Sequence, residues 1–483
     1  MKKSIKILFL LIVCLYAQTW ERTYGTGYRD EEGIKIIQKD NGNFILLANK
    51  HRCYPFPAYI WLMELDTLGN VLWERIFSND DLSIDDLFEN LFAYSFSLFD
   101  SHIFICGIAY NIAIIDSGII FLFKTDSLGN IIWTRNYDDV VYLLRLAYAR
   151  TGDILGAGRI GTIDTTDDVY ISVRRVNSMG EVVWTRIFDQ GEGTDIMPTN
   201  DNNFIVLGIV RDPFGPNDIC LVKMTSSGDT IWKKTYGMGS GSSEVGYSIT
   251  HSPDGGYVIA GATSYLGLVK AFLVKINENG DTLWTKTYGA PGCISRFFSI
   301  VTMPDGGYAM VGSIDMAGSI DRDVYLVRVD SIGNMLWSRT YGDIDYDAGV
   351  SLDRTNDGGF IITGWYTPPS PPGFIDLDVY VIKTDSLGGV DWVREIPINP
   401  ESIHIVVSPN PFNSQCVVGI EGVDAKPYDI RIFDCAGNVV FSKTENEASK
   451  IIWNPEKYLP SGIYIVQVKT DVQTQSQKVV LIK

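Results

Sequence analysis

The sequence predicts an all-β protein, a seven-bladed β-propeller followed by a small Ig-like β-sandwich. Three features carry that expectation. A tryptophan followed by basic or polar residues recurs at Trp20, Trp73, Trp133, Trp184, Trp232, Trp284, Trp337 and Trp392, at intervals of 48 to 60 residues. That period is too long for a helical-pair repeat and suits one four-stranded blade. Each interval divides into four short runs of alternating apolar and polar residues, the pattern of half-buried strands. After Trp392 the period ends, and a different strand pattern fills residues 405–483.

The first element is an export signal. Lys2, Lys3 and Lys6 precede an apolar stretch over 7–16, and Ala17 offers a small residue before Gln18, so residues 1–17 are expected to be a cleaved signal peptide. Cys14 does not suit a lipid anchor, because Leu11, Ile12 and Val13 lack the small residue such a site needs. Elsewhere no apolar run reaches the roughly 18 residues of a membrane helix, and no transmembrane segment is expected. The seven cysteines show no metal-binding spacing, and a Cys416 to Cys435 disulfide is left open. With 40 Lys and Arg against 58 Asp and Glu, the net charge of −18 and the lack of a basic cluster exclude nucleic acid as a partner.

Residues 18–395 form the propeller. In the sixth unit, 297–303 reads as strand a, 304–307 as a turn, 308–314 as strand b, 323–330 as strand c and 334–341 as strand d. Between c and d a glycine stands four residues before the tryptophan in all seven units: Gly69, Gly129, Gly180, Gly228, Gly280, Gly333 and Gly388. Three residues earlier lie Asp66, Asp126, Asn177, Thr225, Asn277, Asp330 and Asp385. An Asx side chain opens the turn by bonding to the backbone, and glycine takes the left-handed position. Eight d-like strands serve seven a-b-c sets, so Trp20–Tyr24 is expected to join the last blade and close the ring, since an open propeller exposes sheet edges.

The hairpin resembles the tryptophan-docking repeat of quinoprotein-type, kelch-like propellers. The likeness implies the architecture and not the quinone, for no vicinal cysteines stand ready to hold one, and no cofactor is expected.

In such a blade the regular turns share one end, and the b-c loops and d-a connections share the other. The variable segments 50–58, 78–91, 161–168, 211–218, 238–245, 315–322 and 367–377 therefore gather on one face, where binding is expected. Trp365, Tyr366 and Phe374, beside a loop stiffened by Pro368, Pro369, Pro371 and Pro372, form the expected ligand-binding edge. Asp343, Asp345 and Asp347 open like a calcium loop. Its sixth and twelfth positions, however, are Ala348 and Arg354 instead of Gly and Glu, which leaves an acidic connection and at most a weak calcium site. Gly237, Gly239 and Gly241 lack the lysine and helix of a phosphate cradle.

Four scattered histidines, at 51, 102, 251 and 404, form no nucleophilic constellation, so no catalytic residue is assigned. The expected function is a binding or adhesion module for an extracellular protein or glycan. The alternative is a secreted glycan hydrolase drawing on Asp85, Asp86, Glu89, Asp376 or Asp378.

Residues 396–404, with Pro397 and Pro400, read as a linker. Beyond it come Pro409-Asn410-Pro411-Phe412, a turn over 434–438 beginning with Asp434 and ending Gly437-Asn438, the segment Leu459-Pro460-Ser461-Gly462-Ile463-Tyr464, and a short basic and apolar tail. In that order these motifs resemble the C-terminal sorting domain of the type IX secretion system of Bacteroidetes-like bacteria. The resemblance implies recognition by that machinery, passage across the outer membrane, and release or attachment to surface lipopolysaccharide once the domain is removed.

Overall fold

The computed structural model describes residues 18–481 apart from 26–29, 52–57, 86–87, 89, 111–117, 138–140, 150–151, 162–168, 211–215, 238, 240, 266, 317–320, 344–345, 369–376, 391–393, 396–403, 409–414, 422–427, 435–437, 446–449, 456–458 and 470–473. The expected signal peptide lies outside the described residues. The chain forms two compact units, residues 1–395 and 396–483. No described helix is long and apolar enough to cross a membrane.

Seven blades make up the first unit among its described residues, and four of them are separate four-stranded sheets. Taken from a to d, blade one is Asp30–Gln38, Phe44–His51, Tyr59–Leu65 and Val71–Phe77, and blade two is Asn90–Phe99, His102–Tyr110, Gly118–Thr125 and Ile131–Tyr137. Blade five is Ser242–His251, Tyr257–Tyr265, Leu268–Ile276 and Thr282–Tyr288, and blade six is Cys293–Thr302, Tyr308–Met316, Arg322–Val329 and Met335–Tyr341. Blade three, with Val141–Tyr148, Ile154–Ile160 and Tyr170–Val176, and blade four, with Phe204–Val210, Asp218–Met224 and Thr230–Tyr236, share one strand. Val182–Pro198 pairs on one side with Tyr170–Val176 and on the other with Phe204–Val210, and Gly191, at φ +149°, lies where it changes sheets. Here the expected d-a loop is absent. Blade seven is Ala348–Arg354, Phe360–Tyr366 and Asp378–Thr384, completed by Trp20–Tyr24.

Burial explains the sequence pattern. Strand b of blade one, Phe44–His51, is buried along nearly its whole length, while strand d, Val71–Phe77, is mostly exposed. Strands b and c are covered by a blade on each side and so read as continuous apolar runs, whereas d forms the rim. The core lies between blades, as where Val258, Ala260 and Leu273 of blade five meet Tyr308, Met310 and Val327 of blade six.

Every strand a carries an irregularity at the same place, at Gly33/Lys35, Ala93/Ser95, Leu143/Arg145, Gly193/Asp195, Gly246/Ser248, Phe297/Ser299 and Gly349/Ser351. A bulge sharpens the local twist and re-aims side chains. Several of the residues that follow accept an N–H from the next inner strand. Ser299 Oγ takes that of Leu352 at 3.3 Å, Asp195 Oδ2 that of Ile249 at 2.9 Å, and Ser351 Oγ that of Ile36 at 3.3 Å, the last bond running from blade seven to blade one.

The outer contacts repeat too. Each c-d glycine receives the tryptophan of the preceding blade. A Cβ on Gly333 (φ +78°) would stand 2.8 Å from the Trp284 ring, and one on Gly388 3.0 Å from that of Trp337. The ring closes in the same way, for a Cβ on Gly69 of blade one would lie 2.9 Å from Trp20. Trp20 Nε1 donates to Thr67 O at 3.0 Å and the Tyr24 hydroxyl to Gly69 O at 2.6 Å. Arg394–Glu395 then runs parallel to the closing strand, so the last sheet has five strands. The surplus d-like segment is thereby displaced to the outside. Trp392 is not among the described residues.

The second unit has two sheets. His404–Ser408, Cys416–Glu421 and Lys450–Trp453 form one, and Val439–Glu445, Tyr428–Phe433, Gly462–Lys469 and Thr474–Leu481 the other. Alternation puts Tyr464, Val466 and Val468 inside, against Cys416, Val418, Ile451 and Trp453. Cys416 is a buried thiol, and Cys435 lies outside the described residues. Asp434 Oδ1 accepts the N–H of Asn438 at 2.8 Å, which closes the expected turn.

Candidate functional site

The loop end is stitched together by the backbone. The N–H of Leu91 donates to Ala58 O (3.2 Å), that of Glu244 to Asn217 O (2.8 Å), that of Asp347 to Arg322 O (2.8 Å) and that of Glu31 to Leu377 O (2.6 Å). Each bond brings the start of one strand a beside the residue that begins, or just precedes, strand c of the blade before it. The b-c loops and d-a connections therefore share one end of the propeller, away from the tryptophan hairpins.

Of the expected site residues, Asp343, Asp347 and Tyr366 are tied together at the junction of blades six and seven. Asp347 is fully buried. Its Oδ1 accepts the N–H of Thr367 and its Oδ2 that of Asp343, both at 2.9 Å. The Tyr366 hydroxyl donates to Asp343 Oδ2 at 2.9 Å, and Thr367 Oγ1 donates to Tyr346 O at 2.6 Å. These bonds tie the acidic connection to the end of strand b, and both Asp347 oxygens serve as acceptors for backbone. Asp345 lies outside the described residues, and among those described no group of three His, Cys, Asp or Glu side chains could hold a metal ion.

Tyr366, expected as a surface ring, is instead buried against Tyr380 with ring centroids 5.5 Å apart. Its neighbour Trp365 is partly exposed and Phe374 is not described. Period-2 alternation at the strand end turns one of two adjacent rings inward. The exposed ring that the sequence reading did not single out for this edge is Tyr346, 42% exposed, with the Arg322 guanidinium 4.9 Å from its centroid. Arg-Tyr stacking depends on a contact between blades and leaves no local signal.

Burial pushes the Asp347 carboxyl up to about 7, with Asp323 and Asp343 adding to the rise, and burial with Asp321 and Asp343 pushes Asp323 up to about 6. A carboxyl raised in the folded state keeps its proton there after the unfolded chain has lost it. The associated stability is complete below about pH 4 and is lost as pH climbs through 7. Thermal unfolding scans between pH 4 and 8 should show a decline worth about 2 to 4 kcal/mol across this window. Asp347→Asn should flatten it. An equally steep decline in that variant would refute the assignment to Asp347.

Other charged groups lie elsewhere. Asp85 is exposed and Asp378 buried, while Asp86, Glu89 and Asp376 are not described. His51 Nδ1 and Nε2 lie 3.9 Å from Asp30 and Glu32, and although burial opposes it, these carboxylates raise its pKa. On the inner strands, burial and Arg145 lower the Lys35 ammonium to about 8, and Lys35 Nζ donates to Phe96 O at 2.8 Å. These inner charges come from different blades, so sequence spacing could not group them.

Several solved structures resemble the chain in part. A prolyl endopeptidase shares 11% identity over 83% of this chain and 56% of that chain, with a TM-score of 0.48. Polysaccharide lyase Uly1 shares 10% over 73% and 90% (TM-score 0.45), and an α-L-arabinanase of Penicillium chrysogenum 9% over 76% and 93% (TM-score 0.39). The chain thus spans little more than half the length of the endopeptidase, and at such similarity no activity carries over. No curated protein matches the chain. Residues 406–483 do match a family, described as the secretion system C-terminal sorting domain. The chain therefore carries a C-terminal sorting domain of the type IX secretion system, and its destination is the cell surface or the medium.

Proposed function

We propose that the propeller is a binding module displayed outside the cell, which engages an extracellular protein or glycan through its loop end. The observation that carries this reading is the braced junction of blades six and seven. There Trp365 and Tyr346 stand partly exposed with Arg322, on a base held by Asp343, Asp347, Tyr366 and Thr367. Rings fixed before docking lose little entropy and stack on sugars or side chains, the traits of binding hot spots. The regular hairpin end, by contrast, is occupied in holding blade to blade.

A glycan array probed with the intact protein, alongside a screen of extracellular proteins, tests the reading. For any ligand found, Trp365→Ala with Tyr346→Ala should weaken binding by about tenfold or more, at an almost unchanged melting temperature. Full binding by that double variant would refute this face as the site.

A further inference from the structure

A cleft of about 210 Å³ opens between blades four and five, with Glu244 and Phe272 in its wall alongside Thr235, Tyr236 and Gly237. Glu244 is 1% exposed. Its Oε1 accepts the Thr263 hydroxyl at 2.8 Å, while its Oε2, equally buried, has no hydrogen-bond partner among the described residues. A buried carboxylate oxygen without a donor is costly and points to a cationic group that supplies one.

The propeller contains its own control for this site. Glu244 stands two residues before the irregularity of its strand a, and the same position in blade one is Glu31. Both donate their N–H to the residue just before strand c of the preceding blade. Across the pair, Glu31 faces Lys50 where Glu244 faces Thr263. Diagonal to these stand Trp61 in blade one and Phe272 in blade five, paired with Ala48 and Gly261. In blade one the Lys50 ammonium fills the space between acid and ring, 3.2 Å from Glu31 Oε1 and 4.4 Å from the Trp61 centroid. Blade five keeps the acid and the ring but has threonine in place of the lysine. Lys270, opposite Thr263, is committed to the carbonyls of Ala290 and Cys293 at 2.5 and 2.9 Å.

A third buried acid at this position, Asp347 of blade seven, has each oxygen bonded to a backbone N–H. At this depth blade one thus sets the ammonium of Lys50 against Glu31 Oε1, and blade seven sets backbone N–H groups against both oxygens of Asp347. In blade five Glu244 lines a cleft, and its Oε2 has no hydrogen-bond partner among the described residues. Asp218 adds negative charge nearby, since a Cβ on Gly237 would lie 2.5 Å from its Oδ1.

We infer that the cleft between blades four and five binds a primary ammonium group on a short apolar stem, in the place where blade one holds the ammonium of its own Lys50. Glu244 Oε2 accepts a charge-assisted hydrogen bond, the Phe272 ring lies against the cation, and Ile219 and Val274 line the path of the stem. The group can come from a free aliphatic diamine or from a lysine side chain of another protein.

The test uses the full chain and two probes, 1,5-diaminopentane and Nα-acetyl-lysine amide, followed by saturation-transfer NMR and calorimetry, with tetramethylammonium as a cation lacking N–H donors. The primary amines should bind and tetramethylammonium should bind about tenfold more weakly, because it cannot donate to Oε2. Tighter binding of the diamine identifies a free amine as the source, and tighter binding of the lysine amide a protein side chain. Glu244→Gln should cost the amines about tenfold or more. Thr263→Lys, which restores the arrangement of blade one, should abolish their binding and raise the melting temperature. If Glu244→Gln fails to fold, Thr263→Lys decides. Failure of both amines to bind the unmodified protein, or undiminished binding to Thr263→Lys, would overturn the inference.

Discussion

Deletion of residues 18–25 should leave a propeller that no longer unfolds in one cooperative step. The segment is far from its partners in sequence, yet Trp20–Tyr24 pairs along its whole length with Asp378–Thr384, Trp20 opposite Lys383 and Tyr24 opposite Val379. Trp20 is 5% exposed and packs with Phe44 and Leu46 of blade one and Val379 and Val381 of blade seven. Arg22 Nη1 donates to Gly69 O and to Asn70 Oδ1, both at 3.0 Å, and the Tyr380 hydroxyl donates to Glu21 Oε2 at 2.8 Å. Loss of the strand removes all of these and bares the edge of Asp378–Thr384, a template for aggregation. Trp20→Ala alone should cost about 3 to 5 kcal/mol, a large part of the roughly 5 to 15 kcal/mol that holds a typical domain together. Urea unfolding followed by circular dichroism measures both variants. An unchanged midpoint and slope in the deletion would mean that some other contact closes the ring.

The repeat was legible in the sequence because its cause is local. An Asx residue, or Thr225 in blade four, lies with a left-handed glycine and a tryptophan within one hairpin, and the set recurs wherever the hairpin docks. Asp330 Oδ1, for instance, accepts the N–H groups of Ile332 and Asn334 at 3.0 and 2.7 Å, and Gly333 at φ +78° receives Trp284. The surplus strand was likewise a matter of counting. The unbroken strand Val182–Pro198 was less legible, since it stands where the blade pattern places a d-a connection, and only pairing on both sides carries the strand through Asp189, Gln190 and Gly191.

Contacts between blades set the site residues, and those contacts have no fixed spacing. Nothing near Tyr366 in the chain announces that Tyr380 and Asp343 will enclose it. Glu244 looked like any loop acid. Only the pairing register, which aligns it with Glu31 and aligns Thr263 with Lys50, reveals what differs.

Removal of residues 405–483 should stop export while the propeller remains folded. The two units have separate cores. Trp453, Tyr464, Val466, Val479 and Leu481 belong to the second, and the propeller clusters contain none of them. Separate cores unfold separately, so the truncated propeller should keep the melting temperature it has in the full chain. It should accumulate in the periplasm, since the matched sorting domain occupies 406–483. Trp453→Ala separates recognition of the folded domain from recognition of a linear signal. Trp453 is 1% exposed and meets Tyr464 edge-on at 5.5 Å between centroids, so its loss should cost about 3 to 5 kcal/mol. That is enough to unfold a domain of this size. If the machinery reads the sandwich, this variant should be retained like the truncation, and immunoblots of medium, cell surface and periplasm would show it. Normal export of Trp453→Ala would limit the signal to a short linear motif, and normal export of the truncation would refute the sorting role.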